Sequence, residues 1–283
     1  MLFPSVRNVG LLVLGALIVI NPILSGAGDV SVPLDPLGPL KVALDYALAT
    51  TWPEERRLTD VQRNLQFSSH IVFASRVGHS DEENPPVSDG QLWQIARDAV
   101  DEMVQDREQY GIGKKKEPKA MGILPWGNEI IIASSMRGAG HFSYDFLEGE
   151  TPVGKSLQKC QILWRDISLP DKDKTRIHKN DGSCAEPMAA HLYYKNNKAN
   201  LKDQKARIGT WVKRREGNWE PTDPCGTDSE DLWGCNLFIQ DQGLTAISTS
   251  TPPAPYTLAN LAGGPTRIEQ IQLCGGQPRV FVG

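Results

Sequence analysis

The 283-residue chain has few cysteines, few aromatic residues and no large excess of charge of either sign. Five cysteines are too few for a small scaffold held together by many disulfides, and their number is odd. The balance of 30 Lys and Arg against 34 Asp and Glu excludes a uniformly basic nucleic-acid-binding protein. A hydrophobic fraction of 40% is too high for a fully disordered chain and too low for a protein with many membrane spans. The length allows one large domain or two small ones.

Several short motifs that would indicate a chemistry are also missing. The sequence contains no Gly-rich phosphate loop, no Gly-x-Ser-x-Gly elbow and no His-Glu-x-x-His motif. It therefore carries no signature of the phosphate-binding, serine-hydrolase or metalloprotease sites built on them. It also contains no Asn-x-Ser/Thr acceptor, so we predict no N-linked glycan.

The N-terminus has the features of a cleaved secretory signal. Arg7 precedes an uninterrupted run of 12 apolar or Gly residues at 9–20, and the small residues at 25–27 suit a cleavage site. A membrane anchor is the alternative, but a spanning helix needs about 20 apolar residues, and an Asn-Pro pair at 21–22 interrupts the run. We therefore predict a signal peptide over residues 1–27, a secreted mature chain, and no stable membrane association after cleavage.

The mature chain divides into two parts by its patterns. Residues 28–89 are predicted to form an N-terminal extension of short helices and loops, and residues 90–283 a folded domain. Apolar residues at helical spacing predict a helix over 90–109. Two strands, at 121–124 and 129–134, flank a Pro-Trp-Gly-Asn turn and predict a hairpin.

The second half of that domain has weaker patterns. A helix is predicted over 155–167 and another begins near Cys184, where Pro187 is tolerated in the first turn. Short strands are predicted at the following three places: 208–212, 237–239 and 267–273. No internal repeat occurs.

The residues that indicate a chemistry are Cys184-Ala185-Glu186, followed by Pro224-Cys225 and then by Cys235. A thiolate and a carboxylate two residues apart at a helix start can both face one cavity. The positive end of the helix stabilises a thiolate there by a few tenths to ~1 kcal/mol. Three thiolates would leave the fourth position of a tetrahedral Zn²⁺ open for water, and Glu186 would move protons without binding the metal.

At these residues the chain resembles the cytidine-deaminase-like zinc deaminases, and in particular their secreted, toxin-type branch. The family pattern is His or Cys, any residue, and Glu at a helix start, followed by Pro-Cys-x-x-Cys at the next helix start. Cys184-Ala185-Glu186 matches the first half and Pro224-Cys225 opens the second, but nine residues separate Cys225 from Cys235 instead of two. The predicted order of helix, two strands, helix, strand and loop over about 90–240 also fits.

The resemblance implies an α/β protein with a three-layer α/β/α fold around a mixed sheet, which makes 90–283 a deaminase-like domain. It further implies a secreted, zinc-dependent hydrolytic deaminase of a nucleobase, in a nucleoside, a nucleotide or a single-stranded nucleic acid. Cys184, Cys225 and Cys235 would bind Zn²⁺, a zinc-bound water would be the nucleophile, and Glu186 would be the proton shuttle. Secretion would then indicate an effector or toxin aimed at another cell.

A basic stretch surrounds this motif. Residues 171–215 contain 12 Lys and Arg against 5 Asp and Glu. The charge could attract the phosphates of a substrate, or it could be an ordinary solvated surface.

The cysteines leave a second interpretation open. Disulfides between Cys225 and Cys235 and between Cys160 and Cys274 would make Cys184 an inert buried thiol. The protein would then be a non-catalytic secreted effector or binding protein stabilised by disulfides. In the zinc interpretation, one disulfide between Cys160 and Cys274 plus three metal ligands uses all five cysteines.

Two histidines flank the motif, His178 and His191. His191 follows Cys184 by seven residues, which places it on the same helix face about 10 Å away. That separation is too long for a shared metal, so we predict a structural or substrate-facing role for His191. His178 receives no assigned role.

Overall fold

The computed structural model of the chain describes residues 29–53, 63–83, 85–167, 178–227 and 232–283. Within these ranges the protein is a mixed α/β structure with nine strands and six α-helices. The strands are β1 (Ala43–Leu44), β2 (Phe67–Phe73), β3 (Ala120–Trp126), β4 (Glu129–Ser134), β5 (Arg207–Lys213), β6 (Trp219–Thr222), β7 (Thr245–Ala246), β8 (Pro265–Gln270) and β9 (Arg279–Val282). The helices are α1 (Tyr46–Thr51), α2 (Asp89–Gln109), α3 (Phe142–Asp145), α4 (Pro152–Ile167), α5 (Ala185–Asn196) and α6 (Cys235–Asp241).

The predicted signal segment at 1–27 lies outside the described residues. Among the helices that are described, none combines the length and apolar character needed to cross a bilayer.

The strands form one sheet in the order β6-β5-β3-β4-β2-β8-β9, with β1 attached to β2 and β7 to β5. Every described pairing is antiparallel except that of β5 with β7, which is parallel. The mixed sheet expected from the sequence is therefore antiparallel almost throughout. Strands β5 and β3 lie side by side next to the edge strand β6, and they carry residues that line the candidate site described below.

The predicted hairpin is confirmed as β3 and β4. Trp126 pairs with Glu129, so Gly127 and Asn128 alone form the turn. Gly127 has a φ of +49°, a left-handed conformation that glycine adopts without a steric cost. The Ile130–Ile132 run is fully buried, as expected for β-branched side chains on a pleated surface.

Helices cover both faces of this sheet. Ile123 and Ile132 point into a core shared with α2, whereas Leu124 and Ile131 point into a second core shared with α4, α5 and α6. This alternation follows from the two-residue period of a strand. The predicted helices at 90–109 and 155–167 are confirmed as α2 and α4.

The segment 28–89 differs from the predicted extension of helices and loops. Its strand β2, Phe67–Phe73, pairs with both β4 and β8 in the interior of the sheet. The Glu102 carboxylate of α2 accepts hydrogen bonds from the backbone N–H groups of Leu40 and Val42, at 2.8 and 3.2 Å. The described parts of this segment are thus built into the sheet and core formed by the rest of the chain.

One predicted strand is a helix. Residues 237–239 lie inside α6, where Phe238 is fully buried. A short apolar run does not distinguish a buried strand from a buried helix, because three residues are too few to show the repeat of either pattern. The predicted strand at 208–212 corresponds to β5. The first part of the predicted strand at 267–273 lies in β8, which ends at Gln270.

Candidate metal centre

Four side chains with metal-binding atoms meet at the N-terminal end of α5: His178, Cys184, Cys225 and Cys235. One ligand atom from each lies within 4.8 Å of the others. In the part of the chain that the structure describes, this is the one group of three or more such residues. The structure therefore brings together the three cysteines singled out by the sequence and adds a histidine to them.

The distances within this group fit a metal ion. Cys184 Sγ lies 3.6 Å from Cys225 Sγ, and His178 Nε2 lies 3.3 Å from Cys235 Sγ and 3.8 Å from Cys225 Sγ. Tetrahedral zinc, with Zn–S near 2.3 Å and Zn–N near 2.0–2.1 Å, separates its ligand atoms by about 3.6–3.8 Å. Sulfur and imidazole donors also suit zinc chemically. These residues could hold a metal ion, and zinc is consistent with them.

Close contact between α5 and β3 sets the position of Cys184 and Glu186. Cys184 is the residue that precedes the helix, and Glu186 lies in its first turn. Ala185 packs directly on Gly122 of β3, where a Cβ added to the glycine would lie 3.0 Å from the Ala185 Cβ. A larger residue at 122 would push the start of α5, together with Cys184 and Glu186, away from the sheet.

A closed loop brings Cys235 back to Cys225 despite their spacing. The backbone N–H of Cys235 donates to Cys225 Sγ at 3.3 Å, and the N–H of Asn236 donates to the Cys225 carbonyl at 3.1 Å. Gly234 permits this approach, because a Cβ there would lie 2.6 Å from Cys225 Sγ. These contacts hold Cys235 at the site although nine residues separate it from Cys225 in the sequence.

His178 is held by a backbone hydrogen bond of its own. The N–H of Asn180 donates to His178 Nδ1 at 3.1 Å, so Nδ1 is an acceptor and a neutral ring carries its proton on Nε2. That Nε2 faces the sulfurs of Cys235 and Cys225. The sequence analysis missed this contact, because His178 precedes Cys184 by six residues in a loop and matches no metal-ligand spacing.

Glu186 lies beside the sulfurs and is 4% exposed. The Cys235 thiol donates to its Oε2 at 3.4 Å. Burial, followed by the charge of Cys225, raises the pKa of the Glu186 carboxyl. Glu186 is thus the buried acid nearest the sulfur cluster and does not itself belong to the four metal-binding groups.

The cysteines of the cluster do not ionise equally. The pKa of Cys225 is lowered mainly because the Cys184 thiol hydrogen-bonds to its sulfur. The pKa of Cys184 is raised mainly because its proton is engaged by Cys225, and burial raises that of Cys235. Three thiolates at these distances would repel one another, and a bound cation is what would make all three ionised.

A cavity of about 560 Å³ gives access to this cluster and is lined by Cys184, Glu186 and Cys225. Ser135 at the end of β4 and Thr210 of β5 also line it. Its volume falls in the range typical of small-molecule sites, roughly 300–1,000 Å³. A ligand of that size could therefore reach the carboxylate and two of the sulfurs.

The predicted disulfide between Cys160 and Cys274 is not formed in the structure, where all five cysteines are free. Cys160 is a residue of α4 that is buried in the core, and Cys274 packs against the same core. Burial raises the pKa of both thiols to about 12, so each is a neutral, apolar side chain. The alternative disulfide between Cys225 and Cys235 is absent as well.

His191 is structural. The Ser143 hydroxyl donates to the Gly182 carbonyl at 2.7 Å, so the ring N–H of His191 donates to Ser143 Oγ at 3.1 Å. Burial lowers the pKa of His191 to about 3, which keeps the ring neutral. This chain of hydrogen bonds fixes the turn at Gly182, two residues before Cys184.

Comparisons of the chain with models of protein families, with curated proteins and with solved structures give no match.

Proposed function

We propose that this protein is a zinc-dependent hydrolase that removes the amino group from a nucleobase. The observation that carries the proposal is the position of Glu186, a buried carboxylate in contact with a three-cysteine cluster in a cavity open to a ligand. A purely structural metal site needs neither a cavity nor an adjacent acid. The residues of the resemblance to the zinc deaminases, Cys184-Ala185-Glu186 and Pro224-Cys225, are the ones that meet here.

Cys184, Cys225 and Cys235 would hold the metal, with His178 outside its ligand set. A metal-binding histidine donates its second ring N–H to an oxygen acceptor. His178 does the opposite, since its Nδ1 accepts the N–H of Asn180. Its Nε2 hydrogen is then directed at the sulfurs, where it stabilises their negative charge. Three protein ligands are typical of catalytic zinc, whereas four typify structural zinc.

Zinc held by three ligands would act as a Lewis acid and make a water molecule acidic enough to attack near neutral pH. The chain's own contribution is proton transfer by Glu186. It would accept a proton from the attacking water and pass it to the ring nitrogen next to the reacting carbon. It would then take the second proton from the hydroxyl group added to that carbon and deliver it to the leaving amine. The carbon–nitrogen bond breaks, ammonia leaves and the base gains an oxo group, with no net oxidation.

The fold supports the same assignment. Helix α2, the β3–β4 hairpin, α5, β5 and the Cys225 loop follow one another in the order that the resemblance implies. Helices lie on both faces of the sheet, with α2 on one and α4, α5 and α6 on the other. We infer from this a three-layer arrangement of the deaminase type.

A non-catalytic protein with a closed metal site is the second candidate. It is favoured by the fact that four donor atoms, including His178 Nε2, lie within 4.8 Å of one another. A non-catalytic protein stabilised by disulfides is not supported, because all five cysteines are free in the structure. In a closed site Glu186 would have no role.

Metal analysis and an ammonia-release assay test the proposal together. We expect about one zinc per chain in protein purified under reducing conditions, and ammonia from at least one cytosine- or adenine-containing nucleoside, nucleotide or single strand. Folded protein that holds zinc but releases ammonia from none of them would favour the closed site. Folded protein that binds no zinc at all would contradict both candidates.

We also propose that the protein is secreted and acts as an effector or toxin on another cell. The support is the N-terminal pattern of Arg7, the apolar run at 9–20 and the small residues at 25–27. N-terminal sequencing of protein recovered from culture medium should begin at Gly28. A chain that keeps residues 1–27 and stays with the cells would contradict secretion.

A further inference from the structure

The cavity above the metal centre has a basic lining. Five cationic side chains contribute to it: Lys119, Arg137, Lys179, Lys213 and Arg214. Two of them are neutralised by neighbours. Lys213 Nζ lies 2.6 Å from Glu117 Oε1, and Arg214 Nε lies 2.5 Å from Glu220 Oε1.

The other three cations, Lys119, Arg137 and Lys179, form what we call the basic rim. All three are exposed, and none has an ion pair with any residue that the structure describes. Three acids, Asp181, Glu186 and Asp223, also line the cavity, and Asp181 Oδ1 lies 3.8 Å from His141 Nδ1.

This concentration of positive charge is a local feature. The whole chain has a formal net charge of −4, so the basic rim does not reflect the average surface. The five cations in the lining outnumber its three acids. A concave site with an excess of charge of one sign attracts ligands of the opposite sign. The mouth of the cavity is therefore suited to an anion.

We propose that the substrate of this site carries a phosphate group, which the basic rim binds while the base enters the cavity. The inference rests on the proposed function, which places a base next to Glu186. Lys and Arg side chains form strong, charge-assisted hydrogen bonds with phosphate oxygens, whereas a neutral nucleoside offers them no charge to pair with. A mononucleotide and a single-stranded nucleic acid both present this phosphate chemistry.

The competing explanation is that the rim cations balance the negative charge of the thiolates. The zinc content of the rim variants separates the two explanations. If the cations balance the thiolates, the variants should lose zinc, whereas if the cations bind a substrate phosphate, the variants should keep it.

The experiment measures binding by calorimetry to the zinc-loaded full chain carrying Glu186→Gln, which cannot carry out the proton transfers. The probes are cytidine and adenosine, their 5′-monophosphates, and an eight-nucleotide DNA strand of mixed sequence. Each rim residue is replaced by Gln, singly and together. Lys198→Gln is the matched control, because it removes the same charge just beyond the other end of α5, a helix about 18 Å long.

We expect the phosphorylated probes to bind at least tenfold more tightly than the nucleosides. For the single strand, three phosphate contacts predict a slope of log affinity against log salt of about −2. The triple variant should lose the preference for phosphate and keep its zinc, and Lys198→Gln should change neither. Binding of the monophosphates comparable to that of the strand would identify a free nucleotide, and binding of the strand alone would identify a polymer.

Equal affinity for nucleosides and monophosphates would overturn the inference, as would a triple variant that binds like Lys198→Gln or that loses its zinc. The outcome is separable from that of the proposed function, since no turnover is measured. Phosphate-dependent binding by a protein whose wild-type form deaminates nothing would contradict the enzyme alone. Deamination without a phosphate preference would contradict the basic rim alone.

Discussion

Replacing Glu186 by Gln removes the proposed proton carrier and keeps the size of the side chain. General acid–base catalysis contributes about 10²- to 10⁴-fold, so kcat should fall by that factor, equivalent to about 3–5 kcal/mol of activation free energy. The carboxylate is 4% exposed and lies 3.4 Å from the Cys235 sulfur. Deleting a buried negative charge beside thiolates should therefore leave zinc content and melting temperature equal to those of the wild type, or higher.

The assay compares ammonia release, zinc content and melting temperature in wild type and Glu186→Gln. Glu102→Gln is the matched control, because Glu102 is also a buried carboxylate but accepts two backbone hydrogen bonds from the N-terminal segment. It should lose about 1–3 kcal/mol of stability and keep its zinc and its kcat. Full kcat in Glu186→Gln would refute the proposed role of Glu186. Loss of zinc from Glu186→Gln, together with a loss of stability like that of Glu102→Gln, would refute it as well.

Three further experiments test other parts of the account. His178→Gln should keep about one zinc per chain but release it to a chelator about 10–100-fold more readily; loss of all zinc would make His178 a ligand. Hydrogen bonds to Glu129 and Glu269 raise the pKa of His70 despite its burial, so its contribution to stability is complete below the unfolded value of about 6.5 and is lost as pH rises through the folded pKa. Urea midpoints against pH should show this fall, and His70→Gln should abolish it. Alkylation of denatured, unreduced protein should label both Cys160 and Cys274, because both are free in the structure. A peptide in which a disulfide links these two cysteines would contradict that.

The elements with strong local patterns could be predicted from the sequence. Leu92, Ile95 and Ala99 repeat at helical spacing, and all three are buried in α2. The Ile130–Ile132 run is a buried strand with a two-residue turn before it. In both cases the pattern along the chain and the burial in the fold agree, so local information was sufficient.

Strand β2 could not be predicted in the same way. After Phe67 it continues with Ser68, Ser69 and His70, a polar run that shows no strand pattern. All three are buried, and His70 lies between two carboxylates, with Nε2 2.6 Å from Glu129 and Nδ1 3.0 Å from Glu269. The partners that make a buried histidine tolerable come from neighbouring strands far along the chain, so no local pattern shows them.

The candidate site was predicted in part. Cys184, Cys225 and Cys235 were identified through the family pattern, and the structure places them together. The long spacing before Cys235 gave no indication of whether it reaches the site, because that depends on a loop closed by the hydrogen bond from its N–H to the Cys225 sulfur. His178 was missed for a similar reason, since its position comes from the hydrogen bond of Asn180 in an irregular loop.

X-ray absorption at the zinc edge, recorded on the purified full chain, tests the central claim most directly. The account predicts about one zinc per chain with three sulfur ligands and one light-atom ligand that is not imidazole, and an unchanged spectrum for His178→Gln. A spectrum with the outer-shell scattering of an imidazole that disappears in His178→Gln would show a closed four-ligand site. Such a result would leave Glu186 without a metal-activated water to work on, and the proposed enzyme without a mechanism.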